Sequence, residues 1–413
     1  VIGSTPEPAT RLRRTLDRAA LSSPSPGVLR AMTVELERPL PQASACADLP
    51  ATLARVVGLP GGLIFRHNTT LAVRDLLLAE LLAGPGTAQA PGRLLCTDAE
   101  HPAVRQVVGA IWPSAAAGGG IVELPLRAAL LDGTTDAAAV SAQLGQALEA
   151  ALAGGAAVLL LPHVVWFNGA RLDVVALCRQ ARARSPGTLI LLDGAQAVGH
   201  VSLPPALWGE ELVDAYVGCT HKWLGGPQTL GFVDLGPRLR QDPGRRAAIL
   251  ASGDILPELG ALRAHQGGLQ CGTQRRSVAA GSLQALVELD AVQGGLPAVA
   301  LAMASRASAL RARLRELPGL GLLGPPRGTE TAMVALRLHG GDEASHRLLA
   351  QRLDAAGYTP ARYALDGRGS FLRLSPGPHL LPAEQDEVVA LVAEAARQSL
   401  RPPATPAEPD ARL

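Results

Sequence analysis

Lys222 is the only lysine in this chain of 413 residues, and every other long cationic side chain is an arginine. Arginine replaces lysine wherever a site needs only positive charge, but its guanidinium stays protonated and does not attack a carbonyl. A lone lysine in an arginine-rich chain therefore points to amine chemistry, of which a Schiff base with an aldehyde cofactor is the chief example. The competing explanation is arginine-biased coding that left one surface lysine by chance. Position alone does not separate the two.

Other residues bear on the choice. Asp193 closes the apolar run Thr188-Leu189-Ile190-Leu191-Leu192. A carboxylate there either caps a turn or binds a protonated pyridine nitrogen, which pyridoxal phosphate needs to act as an electron sink. Gln196, just beyond it, is a helix-face amide or a donor to that cofactor's phenolic oxygen. Asn68-Thr69-Thr70 sit where a strand turns into a helix. Backbone N–H groups and hydroxyls at such a place bind phosphate or simply cap the helix. His101 opens a helix after a strand, where it can cap or can stack on a flat ring. Arg373 lies inside Phe371-Leu372-Arg373-Leu374-Ser375. An arginine in an apolar strand needs a partner, either a structural carboxylate or a substrate carboxylate held bidentately. Asn68 and Asn168, the only asparagines in the chain, both follow strands.

The elements that must carry these residues read as an open α/β sheet. Apolar runs at Arg93–Thr97, Gly120–Leu126, Ala156–Pro162, Thr188–Asp193, Val213–Val217 and Thr229–Leu235 predict strands, several covered on both faces. Helical patterns at Thr69–Ala83, from His101-Pro102, at Asp136–Leu152 (with Asp136 as cap) and at Leu172–Ala183 alternate with them. In such sheets ligands bind beyond the carboxyl ends of the strands, where His163, Asp193 and the Cys219–Lys222 loop lie. Earlier, Arg11–Ala20, Pro26–Glu37 and Ala51–Val57 read as short helices and Leu63–Phe65 as a strand. After Val278 the pattern becomes α+β, with helices at Ser277–Val292, Leu301–Leu317, Glu343–Ala356 and Ala383–Gln398 and strands at Thr331–Leu338 and Phe371–Ser375. The organisation expected is an N-terminal arm and helices over 1–40, a large domain over 41–285, a smaller domain over 286–400 and a disordered tail over 401–413.

Composition narrows the classes. A net charge of +2 without a long basic run gives no nucleic-acid or membrane surface. The apolar stretch Ala150–Phe167 is interrupted by Gly154, Gly155, Pro162 and His163, too often for a membrane span. Cys46, Cys96, Cys178, Cys219 and Cys271 are scattered, with no metal-ligand spacing and no secretory h-region before them, which reads as reduced cytoplasmic thiols. No metal site is expected. No glycine-rich nucleotide fingerprint follows a strand.

The run Leu191-Leu192-Asp193-Gly194-Ala195-Gln196-Ala197-Val198-Gly199-His200, then Asp214-Ala215-Tyr216, then His221-Lys222-Trp223-Leu224-Gly225-Gly226-Pro227, resembles the class V aminotransferase family of pyridoxal-phosphate enzymes. The resemblance includes that family's cysteine-desulfurase-like and isopenicillin-N-epimerase-like branches. Asn68-Thr69-Thr70, Glu100-His101, His163, Gly272-Thr273 and Leu372-Arg373-Leu374-Ser375 extend the match from about residue 60 to 380. The resemblance implies fold type I, with a mostly parallel seven-stranded sheet in the large domain and a smaller α+β C-terminal domain. It implies that Lys222 forms the Schiff base, Asp193 holds the pyridine nitrogen, Gln196 the phenolic oxygen, and His101 stacks on the ring. Asn68, Thr69, Thr70 and His221 fall at the phosphate, with Thr273 reaching the phosphate of a neighbouring subunit in a homodimer with shared sites. Arg373 falls at the α-carboxylate of an amino-acid substrate, with Trp166 and Asn168 nearby.

The chain departs from the pattern at the substrate. Desulfurases carry a catalytic cysteine before the carboxylate-binding arginine, and residues 361–370 contain none. Cys219 stands where many members have a phosphate-binding serine. Trp166 and Asn168 replace the asparagine and threonine usual in desulfurases, and Gln274-Arg275 replace Pro-Asn. Persulfide-forming desulfuration is thereby disfavoured. The expected reaction passes through a Cα carbanion to β-elimination, with C–S cleavage of a cysteine conjugate; aminotransfer, epimerisation and decarboxylation are the alternatives.

Overall fold

The computed structural model describes residues 14–37, 48–83, 92–114, 119–131, 136–251, 276–325, 328–340, 342–365 and 369–400. The expected arm over residues 1–8, the tail over 401–413 and Thr273 lie outside them. The strands, in chain order, are β1 (Arg14–Thr15), β2 (Leu63–Arg66), β3 (Leu94–Thr97), β4 (Ile121–Leu124), β5 (Val158–Pro162), β6 (Leu189–Asp193), β7 (Ala215–Cys219) and β8 (Gly231–Leu235). They continue as β9 (Leu320–Leu322), β10 (Val334–Leu338), β11 (Tyr358–Thr359), β12 (Ala361–Leu365) and β13 (Gly369–Leu374).

Seven of these form one sheet in the order β2-β8-β7-β6-β5-β3-β4. Strand β8 runs antiparallel to β2 and β7, and the other pairs are parallel. The mostly parallel sheet expected of fold type I is therefore present. Strand periodicity divides its side chains between two cores. Leu159, Leu161, Ile190, Leu192 and Tyr216 point to one face, with Leu144, Leu148 and Leu177 from the helices Ala137–Leu152 and Val174–Arg184. Val158, Leu160, Leu189, Leu191 and Val217 point to the other, with Val73, Leu76, Leu77, Val104 and Val108 from the helices Thr69–Ala83 and Pro102–Ile111. With apolar helices on both sides, β5 and β6 have no polar face. Asp136 caps its helix as expected, accepting from the Ala139 N–H at 2.7 Å.

Buried ion pairs tie the sheet to its helices. Arg66, at the end of β2, donates from Nε to Asp75 at 2.7 Å and from Nη2 to the Ile249 carbonyl at 2.7 Å. Asp214, just before β7, accepts from the Ile190 N–H at 2.7 Å and pairs with Arg182. The second sheet, β12-β13-β10-β9, is antiparallel. The helices Glu343–Ala355 and Pro382–Ser399 bury Leu349, Leu353, Val388 and Val392 into the same continuous core.

Three expectations need correction. The described part of Arg11–Ala20 is not a helix: Arg14–Thr15 pair in parallel with Tyr358–Thr359, a partner so distant in sequence that no local pattern announces it. Edge strands β9 and β12 were not anticipated, because Leu320-Gly321-Leu322 and Ala361-Arg362-Tyr363-Ala364 lack an apolar run. The helix placed at Leu301–Leu317 spans Gly295–Arg315, taking Pro297 into its first turn, where a missing N–H costs nothing. Among the described residues no single helix is long and apolar enough to cross a membrane.

Candidate active site

A cavity of about 230 Å³ opens beyond the carboxyl ends of β2, β5, β6 and β7. Asn68, Thr69, Thr70, His101, Trp166, Asp193, Gln196, His221 and Lys222 all line it. Strand order explains the gathering. Register pairs Pro162 with Asp193 and Asp193 with Val217, so parallel neighbours bring successive loops to one rim.

Lys222 is presented by a loop with little freedom. Thr220 donates its N–H to Leu230 O at 3.0 Å, Gly226 to Thr220 O at 2.9 Å, and the Ser22 hydroxyl donates to the Lys222 carbonyl. Trp223, next to it, is fully buried. It stacks on His200 with ring centres 3.9 Å apart and donates Nε1–H to Gln196 Oε1 at 3.2 Å. Gly199 lets this packing close: a Cβ there would lie 2.9 Å from the Trp223 backbone, and its φ is +99°. One tryptophan thus fixes both the lysine loop and the Gln196 amide, whose Nε2 donates to Ala19 O at 2.7 Å with its second N–H to spare.

Asp193 accepts from the Ala195 N–H at 2.8 Å. Burial raises its pKa, against the opposing pulls of that N–H and of Lys222. The site thus disfavours a lone carboxylate and rewards a cation beside it, which is what a protonated pyridine nitrogen supplies. Behind it, His163 Nδ1 and the Tyr216 hydroxyl are 2.9 Å apart, and only a glycine fits at 194, since a Cβ would meet Tyr216 Cε1 at 2.1 Å.

His101 is the N-cap of its helix, its Nδ1 accepting from the Ala103 N–H at 3.2 Å, and it also lines the cavity. The capping reading therefore holds, and the ring is also within reach of whatever fills the cavity. Its ring meets Trp166 edge-on at 5.4 Å. Burial, then the charges of Lys222 and Arg373, push it down to about 4, so the imidazole is neutral. His221 is likewise pushed down to about 4 by burial and by Lys222. Its Nδ1 is buried with no partner among the described residues, beside the first turn of the Thr69–Ala83 helix. Asn68 Oδ1 caps that helix, accepting from the Leu71 N–H at 2.8 Å. A helix N-terminus, two threonines and an unpartnered imidazole nitrogen on the wall of a cavity suit a phosphate. The carboxylate and the amine on the same wall suit a pyridine aldehyde.

Two expected residues do not line the cavity. Asn168 spends its side chain on backbone contacts, accepting from Ala170 N–H in its own turn at 3.1 Å and donating to Leu130 O of the helix Arg127–Leu131 at 3.2 Å. It shapes the loop that presents Trp166. Arg373 lies behind Trp166, donating to the Trp166 carbonyl at 2.6 Å, to Asp17 at 2.9 Å and to the Tyr363 hydroxyl at 2.8 Å. Asp17 carries no sequence signal because its stretch pairs only with residues from the far end of the chain, and Tyr363 because its strand is a short edge strand without an apolar run. Glu100, adjacent to His101, was the more legible omission. It accepts from Thr97 Oγ1 at 2.9 Å, its Oε2 is buried without a partner among the described residues, and burial and Asp193 push its carboxyl well up. Cys96, Cys178 and Cys219 are buried free thiols, and burial lifts Cys219 to about 11.

The sequence matches the family described as Aminotransferase class-V over residues 53–357. It is 32% identical over 187 residues to the isopenicillin N epimerase of Streptomyces clavuligerus, covering 45% of this chain and 42% of that protein. Kynureninase 2 of Chaetomium globosum is 43% identical over 82 residues, covering 20% of this chain and 14% of that one. These alignments thus span less than half the length of either relative. In fold, the chain resembles the cystine C-S lyase C-DES, solved with cysteine persulfide, at a TM-score of 0.71 and 20% identity, covering 92% of this chain and 97% of that one. The cysteine desulfurase CsdA of Escherichia coli gives 0.70 and 18%, covering 95% and 96%. With the family's sequence pattern running from before the Thr69–Ala83 helix to β11, and an amine, a carboxylate and a helix N-terminus gathered beyond the carboxyl ends of the strands, the chain belongs to the class-V aminotransferase family of pyridoxal-phosphate-dependent enzymes.

Proposed function

We propose that this enzyme catalyses β-elimination from an α-amino acid, cleaving the C–S bond of a cysteine conjugate to give a thiol and an enamine that water hydrolyses to pyruvate and ammonia. The observation that carries this reading is the inventory of bases. Among the described residues lining the cavity, Lys222 is the one amine, Asp193 is the one carboxylate, and both imidazoles are pushed down to about 4. No thiol among the described residues lines the cavity, and residues 361–370 contain no cysteine to accept sulfur.

Pyridoxal phosphate supplies an electron sink at the substrate's Cα. Asp193 keeps the ring nitrogen protonated, and Gln196 donates its remaining N–H to the phenolic oxygen. Thr69, Thr70 and His221 hold the phosphate at the helix N-terminus, and neutral His101 packs against the ring. The Lys222 amine takes the Cα proton, and the same group delivers a proton to the departing sulfur. Trp166 shapes the pocket beside the leaving group, and Arg373 takes the α-carboxylate once its present partners yield. A homodimer, with Thr273 of each subunit reaching the other site, belongs to the same reading and is tested by solution mass.

Epimerisation is the second reading, favoured by the sequence likeness to isopenicillin N epimerase. Incubation with S-substituted cysteines, without any α-keto acid, separates the two. Equimolar thiol and pyruvate are expected. A strict need for a keto acid, or inversion at Cα without pyruvate, overturns elimination.

A further inference from the structure

Arg373 is already engaged on the side that a substrate needs. Its Nη1 donates to the Trp166 carbonyl, while Nη2 donates both to Asp17 Oδ1 at 2.9 Å and to the Tyr363 hydroxyl at 2.8 Å. Each terminal nitrogen of a guanidinium has two N–H groups, so Nη2 has none to spare. A carboxylate gripped at two points uses either Nη1 with Nη2 or Nε with Nη2. Both forks include Nη2. The Nε is buried with no hydrogen-bond partner among the described residues, half of a fork whose other half is taken.

Of the two occupants, Asp17 is the one with the charge of an incoming carboxylate. Its backbone is pinned: Leu16 donates its N–H to Thr359 O at 2.9 Å, Asp17 bridges to Ser375 beside β13, and Ala19 O accepts from Gln196. Displacement is therefore a side-chain rotation rather than a lifting of the segment. The Asp17 side chain is 18% exposed against 1% for Arg373, so the carboxylate has a route to water that the guanidinium lacks.

We propose that Asp17 is a specificity-determining residue that occupies the place on Arg373 taken by a substrate's α-carboxylate, so that an amino acid gains its two-point grip only by displacing it. The inference rests on reading Arg373 as the carboxylate site. Asp17 then weakens every carboxylate ligand alike and sets how far a ligand with a carboxylate is preferred over one without it.

The test compares L-alanine with ethylamine, which has the amine but no carboxylate, by calorimetric titration of the holoenzyme. The ratio of the two affinities isolates the carboxylate's contribution. In Asp17→Asn the ratio is expected to rise about tenfold, and in Arg373→Leu to fall about tenfold. Asp17→Ser replaces Asp17→Asn if thermal melts show the latter misfolded. An unchanged or lowered ratio in the Asp17 variant, with Arg373→Leu still lowering it, overturns the role of Asp17 and leaves Arg373 standing. A ratio indifferent to Arg373→Leu overturns the carboxylate site itself and the proposal with it.

Discussion

The two ends of the site are built on different principles. At the cofactor end, Asp193, His101, His221, Lys222 and the Thr69-Thr70 pair stand at or just beyond strands of one sheet, each fixed by its own loop. Around Arg373, the proposed carboxylate site, Asp17, the Trp166 loop and the β12–β13 hairpin that carries both Tyr363 and Arg373 come from three segments and fix one another. The Arg373 guanidinium lies 4.7 Å over the Tyr363 ring, and Tyr363 meets Trp166 edge-on at 5.1 Å. A sheet edge places chemistry whatever binds there, whereas a mutually paired cluster must be re-sorted by its ligand. The first arrangement suits a group held through every turnover, the second a substrate that comes and goes.

The contrast can be broken at several points. Lys222→Ala is expected to lower turnover by at least about 10³-fold while leaving the melting temperature within a degree or so, since the loop is anchored by Trp223 and Thr220 rather than by the amine. Retained activity would mean that the sheet edge carries no chemistry. Asp75→Ala leaves Arg66 without its buried carboxylate and is expected to cost about 3 kcal/mol in denaturant unfolding. Because the pair joins β2 to the Thr69–Ala83 helix, cofactor affinity should fall with it. Loss of stability with cofactor affinity intact would detach that helix from the site. Asp193→Asn, isosteric but without the charge, is expected to lower turnover about 10²-fold with little effect on stability, measured by steady-state kinetics at saturating cofactor.

The smallest effect concerns pH. Burial pushes His163 and His200 down to about 3 and His101 and His221 to about 4, from an ordinary 6.5. The unfolded chain takes up protons near 6.5 while the folded one does not until pH 4 or below. Stability contributed by these neutral rings is thus complete above about 6.5 and is lost as pH falls towards 3 to 4. The melting temperature should decline over that window, and less steeply in His163→Gln. A decline of equal slope in that variant would assign acid sensitivity elsewhere.

Legibility in the sequence followed the same division. The apolar runs ending in Asp193 and preceding Lys222 announced buried parallel strands, and the residues after them announced the cofactor end. Lys222 stood out by being alone, and Asp193, Gln196, His101 and His221 by their place in the motif. The substrate end was only half visible. Arg373 could be singled out because an arginine in an apolar strand needs a partner, but nothing local identified that partner as Asp17. Its stretch read as a helix and instead pairs with residues from the far end of the chain. Asn168 looked equally placed for chemistry, yet its amide is consumed by its own turn and by the Leu130 carbonyl. Patterns of period two and 3.6 report which face is buried; they do not report which distant segment covers it.

The most direct test of the account is borohydride reduction of the holoenzyme followed by peptide mass mapping. Reduction fixes a cofactor bound through an amine, and this chain has a single side-chain amine. The account predicts one phosphopyridoxyl-bearing peptide, modified at Lys222, in near-stoichiometric yield. Reduced holoenzyme with Lys222 unmodified, or with the label on the N-terminal amine alone, would contradict it.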